Sequence, residues 1–317
     1  MLESYKHFRE MTNENQKLYQ LTDQDLQDIQ QCLLGILQDI DQYCADHQIT
    51  YLACGGTCLG TVRHQGFIPW DDDVDICMPR KDYEKFIEGF TEAFGDRYWV
   101  QNLKRDAKYD LNFSKVRKKG TVFEELFETE PEKAGLFIDI YPLENAFDNS
   151  VLRKLHGVLI DGLLGISSCV RMHSKWQKIC WYTEEYEELQ KGLQIKNILG
   201  AVLGIIPLRW WLLATEHVSE WCQNTQSKYV MIPSGRKHTF GEMCDRVHYF
   251  PTKRMPFAQL QISVQNHPVE HLKRLYGTDF MRIPTKKERV RHSVLRYALS
   301  LEEAKRETEW RDYDRSE

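Results

Sequence analysis

The chain of 317 residues is short of several things, and each shortage removes a class of protein. It has no excess of positive charge: 42 lysines and arginines against 47 aspartates and glutamates leave a net charge of −5, so no basic field favours a nucleic acid. No second cysteine pair completes a zinc site beside Cys54 and Cys58. The nine cysteines are odd in number and irregularly spaced, so they read as free thiols in a reducing compartment, with Cys54 and Cys58 as small core residues. The opening MLESYKHFREMTNENQ lacks the apolar core of a secretory signal. There is no internal repeat and no low-complexity tract. Nor is there a long unbroken apolar run. The best candidate, 198–215 (ILGAVLGIIPLRWWLLAT), is barely of spanning length and is divided by Pro207 and Arg209. It reads as a buried helix pair or an interfacial segment, with Trp210 and Trp211 suited to a headgroup boundary. The expected location is the cytoplasm, with 198–215 offered to the inner face of the membrane as a peripheral contact.

What is present is an ordinary globular balance, 42% hydrophobic and 28% charged, enough to bury a core in one large domain or two moderate ones. The chain is organised around Cys54 to Arg80. Paired glycines, Gly55 and Gly56, follow the apolar Tyr51-Leu52-Ala53, and four carboxylates fall within five positions at Asp71, Asp72, Asp73 and Asp75. Val74, Ile76 and Met78 alternate with Asp73, Asp75 and Cys77, the pattern of a strand whose side chains share faces in turn. Asp71, Asp73 and Asp75 then point one way, if the strand is regular that far back, and Val74 and Ile76 enter a core. Carboxylates crowded on one face repel and raise one another's pKa. A divalent cation relieves this, and Mg²⁺ is commonly held by one or two carboxylates plus substrate phosphates. The bland alternative is a solvated acidic loop, weakened by the flanking Phe67, Ile68, Trp70, Val74 and Ile76. An EF-hand loop is excluded, because Ile76 and Asp82 stand where Gly and Glu are needed.

Further elements follow in order. Leu21 to Gln48 is a helix capped by Thr22 with Asp25 three residues on, and Ile49 to Ala53 is the first core strand. Gly55-Gly56 turn the chain into a short helix, 58–64, and allow a phosphate to approach backbone N–H groups, although taken alone the pair reads better as a plain tight turn. Asp82 to Phe94 is a helix. Tyr98 to Asn102, Leu111 to Arg117 and Thr121 to Phe127 read as strands, the last two joined as a hairpin at Gly120. Phe137-Ile138-Asp139-Ile140-Tyr141 is a buried strand carrying one acid, and a buried Asp is costly unless paired or metal-bound. From 148 to 226 the chain is helical. Val247 to Pro251 reads as a strand. Asn266 to Tyr276 is a helix with Asn266 as cap and Gly277 just beyond its end. The charged segment 302–317 reads as peripheral.

The run Gly56-Thr57-Cys58-Leu59-Gly60-Thr61-Val62-Arg63-His64-Gln65-Gly66-Phe67-Ile68-Pro69-Trp70-Asp71-Asp72-Asp73-Val74-Asp75 closely resembles the LicD family of phosphotransferases. Phe137 to Leu143, Tyr276 to Met281 and Arg289 to His292 resemble later elements of that family in the same order, and Thr57-Cys58-Leu59 and Gly60-Thr61 depart mildly from its pattern. The resemblance implies an α+β fold, a nucleotidyltransferase-like mixed β-sheet flanked by helices. It implies a catalytic core with N-terminal helix over 1–147, a helical insert for acceptor or membrane contacts over 148–226, and a C-terminal part completing the catalytic domain over 227–317. It implies transfer of a phospho-alcohol, phosphocholine from CDP-choline above all, to a hydroxyl of a cell-surface glycan or its lipid-linked precursor. Asp73, Asp75 and Asp139 are then the ligands of one or two Mg²⁺, and Asp139 or Asp71 the acceptor of the hydroxyl proton. Gly55, Gly56, Thr57, Arg63, His64 and Lys115 are then the residues around the donor phosphates, with Arg289 and His292 as further phosphate or acceptor contacts. Two rivals remain at this point: a nucleotidyltransferase that uses an NTP and releases pyrophosphate, and a non-catalytic glycan- or lipid-surface binder.

Overall fold

A computed structural model describes residues 2–304, with side chains from His7 onward. The expectation for 302–317 therefore lies outside the described residues from 305 on. Helix α1 (Leu2–Glu14) precedes α2 (Asp23–Asp46), where Thr22 and Asp25 form the expected capping box. Then come β1 (Leu52–Ala53), α3 (Gly55–His64), β2 (Asp75–Pro79) and α4 (Arg80–Phe94). Strands β3 (Tyr98–Gln101), β4 (Ser114–Lys118), β5 (Val122–Glu125) and β6 (Phe137–Ala146) lead into four helices. These are α5 (Ser150–Ser174), α6 (Trp176–Thr183), α7 (Glu187–Leu203) and α8 (Leu208–Ser219). The remainder alternates short pieces: β7 (Tyr229–Met231), α9 (His238–Glu242), β8 (Cys244–Asp245), α10 (Arg246–Tyr249), β9 (Lys253–Phe257), β10 (Leu260–Val264), α11 (Pro268–Tyr276) and β11 (Val294–Ala298).

The main sheet runs β1-β2-β6-β4-β3, with β7 on the second half of β6 and β8 beyond it. Only β2 and β6 pair in parallel, so the sheet is mixed. One face carries Ile76, Val116, Ile138 and Ile140, all fully buried. That face is closed by α2 and α4, whose stripes of Leu33, Ile36, Leu37, Ile40, Phe86 and Phe90 join the same core. The apolar period of 3.6 in both helices places these side chains on one side, and burying each contributes roughly 1.5–3 kcal/mol. The opposite face bears the polar row described below.

Several local expectations are corrected. The first strand shrinks to Leu52–Ala53, and the acidic strand ladder begins at Asp75 rather than Asp73. Even so, exposure alternates residue by residue from Asp71 to Ile76, and Val74 O accepts the Asp139 N–H at 2.9 Å, so the extended geometry runs further back than the ladder. The hairpin at Gly120 does not form. Both edges of β4 are taken, by β3 and β6, so β5 pairs instead with β11 in a separate two-stranded sheet. Val247–Pro251 is not a strand, since α10 covers its first half. Helix α11 is capped at His267, not Asn266, whose side chain instead donates to Val247 O at 3.3 Å. The nine cysteines are free, as expected.

The segment 198–215 is not buried. Helices α7 and α8 meet at a 92° bend around Pro207, and the corner is exposed, with Ile205 at 85% and Trp210 at 68%. Among the described residues α5 alone is long and apolar enough by itself to cross a membrane. It packs against α7: the Cys169 carbonyl lies where a Cβ on Gly200 would sit, so only glycine fits that crossing.

Candidate active site

The polar row follows from strand register. Asp75 on β2 is level with Asp139 on β6, Asp139 with Lys115 on β4, and Lys115 with Gln101 on β3. Residues level with one another on adjacent strands share a face, so two carboxylates and an ammonium stand side by side. Lys115 Nζ lies 2.9 Å from Asp139 Oδ1 and 3.1 Å from Glu125 Oε2. Asp139 Oδ1 is fully buried, and the Lys115 contact is not aligned as a hydrogen bond. Burial raises the Asp139 carboxyl above its ordinary range, against the pull of Lys115. Burial also raises Glu125, but Lys115, His292 and Arg117 overcome it and hold that carboxyl at about 2.

The Asp71–Asp75 run turns along the same edge. Asp71, Asp73 and Asp75 line a cleft of about 400 Å³ together with Gly55, Gly56, Tyr141 and His292. Burial and mutual repulsion push Asp71 and Asp75 well above the carboxylate range, and burial pushes Asp73 up to about 6 against the attraction of His292. Asp72 also borders the cleft but is buried against His292. It accepts the His292 backbone N–H at 3.1 Å and stands 2.9 Å from Nδ1. Burial alone would lower the His292 pKa, but Asp72, and behind it Asp73 and Glu125, hold it well above the ordinary value. These carboxylates favour the imidazolium form of His292, which lines the acidic cleft.

The glycine pair is explained by the same carboxylates. Gly55 and Gly56 are the first residues of α3 rather than a turn before it, and Gly55 has φ +51°. A Cβ on Gly55 would stand 2.8 Å from Asp75 Oδ2, and one on Gly56 would stand 2.7 Å from Asp71 Oδ2. Only glycine lets the two acids lie over the helix N-terminus, where a negative charge is favoured. Thr57 supports this from below, its Oγ1 accepting the Asp75 N–H at 2.8 Å. Arg63 and His64, at the end of α3, do not line the cleft. Arg63 donates to Phe280 O at 3.0 Å and Arg282 O at 3.1 Å, and its Nε to His64 Nε2 at 3.0 Å.

The structure thus brings Asp71, Asp73, Asp75, Gly55 and Gly56 to one cleft, places Asp139 and Lys115 in a neighbouring space that shares Glu125, Tyr141 and His292 with it, and leaves Arg63 and His64 outside both. Glu125 and Asp72 take parts that sequence reasoning did not assign. The signal for Glu125 was its place in a strand otherwise closed by Val122 and Phe123. Among the described residues, the trio whose possible ligand atoms all lie within 4.8 Å of one another is Asp72, Asp73 and His292. Two of these are already joined by a hydrogen bond, and the trio includes neither Asp75 nor Asp139. The oxygen-rich donor set nonetheless fits a hard cation: three crowded carboxylates with raised pKa values and a buried Asp139 oxygen without a hydrogen bond.

Residues 48–156 match the family model described as LicD/FKTN/FKRP, nucleotidyltransferase domain. The chain is 24% identical over 286 residues to the lipopolysaccharide cholinephosphotransferase LicD of Haemophilus influenzae, covering 85% of this chain and 96% of that protein. Over 50 residues it is 42% identical to an uncharacterized protein of Rickettsia prowazekii, 16% of this chain and 19% of that one. A protein of Rickettsia typhi matches over 50 residues at the same identity, 16% of each chain. The acid-lined cleft and these matches define an enzyme of the phosphotransferase class. Residues 48–156 carry the match to the LicD family, and the chain along most of its length is similar to a cholinephosphotransferase of that family.

Proposed function

We propose that this enzyme transfers a phospho-alcohol, phosphocholine from CDP-choline, to a hydroxyl of a cell-surface glycan or its lipid-linked precursor, and releases CMP. The observation that carries this reading is the row Asp75–Asp139–Lys115, whose first member lines the cleft with Asp71 and Asp73 while the other two line a neighbouring space that shares Glu125, Tyr141 and His292 with it. The similarity to a cholinephosphotransferase acting on lipopolysaccharide supports the choice of alcohol and of acceptor. The fold is read as nucleotidyltransferase-like, divided at 1–147, 148–226 and 227–317.

Phosphoryl transfer asks little covalent chemistry of a protein, so positioning and charge stabilisation dominate. Asp73, Asp75 and Asp139 would hold Mg²⁺, which supplies Lewis-acid polarisation of the donor diphosphate. Lys115 and His292 are the cations nearest these carboxylates, and we assign them to the donor phosphates. Asp139 or Asp71 takes the proton of the attacking hydroxyl, and the raised pKa of each makes it a better base than a free carboxylate. Incubation with CDP-choline, CDP-glycerol or CDP-ribitol plus Mg²⁺ and a glycan acceptor tests the reading. Release of CMP is expected, fastest with CDP-choline. Pyrophosphate release from an NTP would establish a nucleotidyltransferase instead, and no turnover of either donor would favour a surface-binding protein.

The exposed corner between α7 and α8 belongs to the same reading. From Leu189 to Thr215 the only charged side chains are Lys191, Lys196 and Arg209, all cationic. We assign this face to the headgroup layer of the inner membrane surface. Washing membranes with carbonate or high salt should release the protein. Retention that only detergent reverses would show that the segment is embedded rather than docked.

A further inference from the structure

The helical layer encloses a second cavity, about 480 Å³, that the chemistry above does not use. Its walls are Leu164 and Met172 of α5, Leu189 and Leu193 of α7, Leu212 of α8, and Phe113 from the loop before β4. Volume and lining fall within the range of small-molecule sites, which are mostly apolar, about 300–1,000 Å³, and carry a few placed polar groups. The cavity abuts the active site. Phe127 lines it, the catalytic cleft and a third space of about 320 Å³ that contains Asp139 and Lys115. Asp110 and Arg171 border both the apolar cavity and that third space. At its other side the cavity reaches Lys196, next to the exposed Ile195 and Leu199.

Where the apolar cavity meets the third space, Arg171 shares the Asp110 carboxylate with Lys175, which stands behind the lining and also donates to Phe127 O and Thr129 Oγ1. Arg171 Nε stands 2.8 Å and Lys175 Nζ 2.7 Å from Asp110 Oδ2. The nearby Glu128 is matched to Arg117 at 2.6 Å, so the junction keeps a surplus positive charge. Burial, and then Arg171, pushes the Lys175 ammonium down to about 8, a condition that a bound anion relieves. On the cavity wall the buried Ser167 Oγ has no hydrogen-bond partner. An apolar slot, a cationic collar and a catalytic cleft thus follow one another in space.

We propose that this passage binds an anionic amphiphile, its hydrocarbon chain between α5 and α7 and its phosphate at Arg171, with the Lys175 ammonium behind it. This rests on the phosphotransferase reading in one respect only: the natural amphiphile is then the lipid carrier of the acceptor, and its sugar is presented towards Asp139. A fatty acid shares the apolar chemistry, and dodecanoate separates it from an amphiphile that carries a phosphate.

The test is calorimetric titration of the full chain, without donor, using dodecyl phosphate, dodecanoate, dodecanol and inorganic phosphate, each below its micelle concentration. Dodecyl phosphate should bind most tightly with one site per chain, and inorganic phosphate should not compete with it at equal concentration. Leu193→Trp, which fills the slot, should weaken dodecyl phosphate by about tenfold or more. Arg171→Gln should weaken it by about tenfold and leave dodecanol unchanged, since only the charge-assisted bond is lost. Unaltered binding in a folded Leu193→Trp overturns the proposal. So does loss of binding in Ile205→Asp, which would put the amphiphile on the outer face. Dodecanoate binding as tightly as dodecyl phosphate overturns the phosphate assignment. Should Arg171→Gln fail to fold, Leu193→Trp and the four ligands still decide. CMP release to a water-soluble glycan without dodecyl phosphate binding removes this inference alone, and binding without any CMP release removes the phosphotransferase reading alone.

Discussion

Asp73→Asn should lower turnover about 10²-fold or more, comparable to loss of one preorganised stabiliser of developing charge. The substitution keeps the side chain's shape and removes one negative charge and, on the proposed reading, one strong cation ligand. The loss falls mainly on the transition state, where charge on the departing CMP is greatest. Melting temperature should hold or rise. Asp73 is pushed up to about 6 by burial, with Asp72 and Asp139 adding repulsion, and its nearest cation, His292 Nε2, is 3.9 Å away. Removing the charge therefore relieves more than it loses. The assay is CMP release at saturating Mg²⁺ with a melting curve alongside, and near-full turnover in the variant would take Asp73 out of the reaction. Strand alternation alone would make Asp72→Asn the milder change, since in a regular strand Asp72 points away from Asp71 and Asp73. The structure changes that expectation. Asp72 is the buried partner of His292, so Asp72→Asn should cost about 1–3 kcal/mol of stability before any effect on turnover is read.

Arg117→Met should cost about 3–5 kcal/mol of folding stability, because it strands buried acids without a counter-charge. Arg117 is 2% exposed. It donates to Gln101 Oε1 at 2.6 Å, Gly135 O at 3.2 Å, Glu128 Oε2 at 2.6 Å and Glu125 Oε2 at 3.4 Å. Methionine fills much of the volume but satisfies none of these. Against a typical total of about 5–15 kcal/mol, the loss leaves a marginal fold. Urea unfolding should show a lower midpoint at unchanged m-value. Adding Glu128→Gln should restore part of the loss, since the stranded charge is then gone. A cost below about 1 kcal/mol in the single variant would mean that these acids find water or another cation, contrary to their burial.

Much of this molecule is legible locally. The capping box at Thr22, the stripe of α4, the buried strand around Asp139 and the alternation through Asp71–Ile76 all depend on side chains a few positions apart. Such patterns act within one helix or strand, where neighbours along the chain are neighbours in space. The apolar corner at 198–215 was legible as a broken span for the same reason, since Pro207 cannot continue the helix. Its exposure was not, because burial depends on what else the chain brings to cover it.

The sequence by itself determined which residues are proposed for the chemistry: a glycine pair, an acidic run, and one acid in an apolar strand. Tertiary structure decided their arrangement. Asp75 and Asp139 meet because β2 pairs in parallel with β6, and Asp72 finds His292 across 220 positions. Gly120 looked like a hairpin because a turn is a local property. Whether the strands beside it pair depends on which edges are still free, and β4 had none. The glycines looked like room for a phosphate, and the structure fills that room with Asp71 and Asp75. Composition and spacing set what each segment can do alone. Pairing across the chain is settled by competition among all segments for the same edges and the same core, and no single stretch contains that outcome.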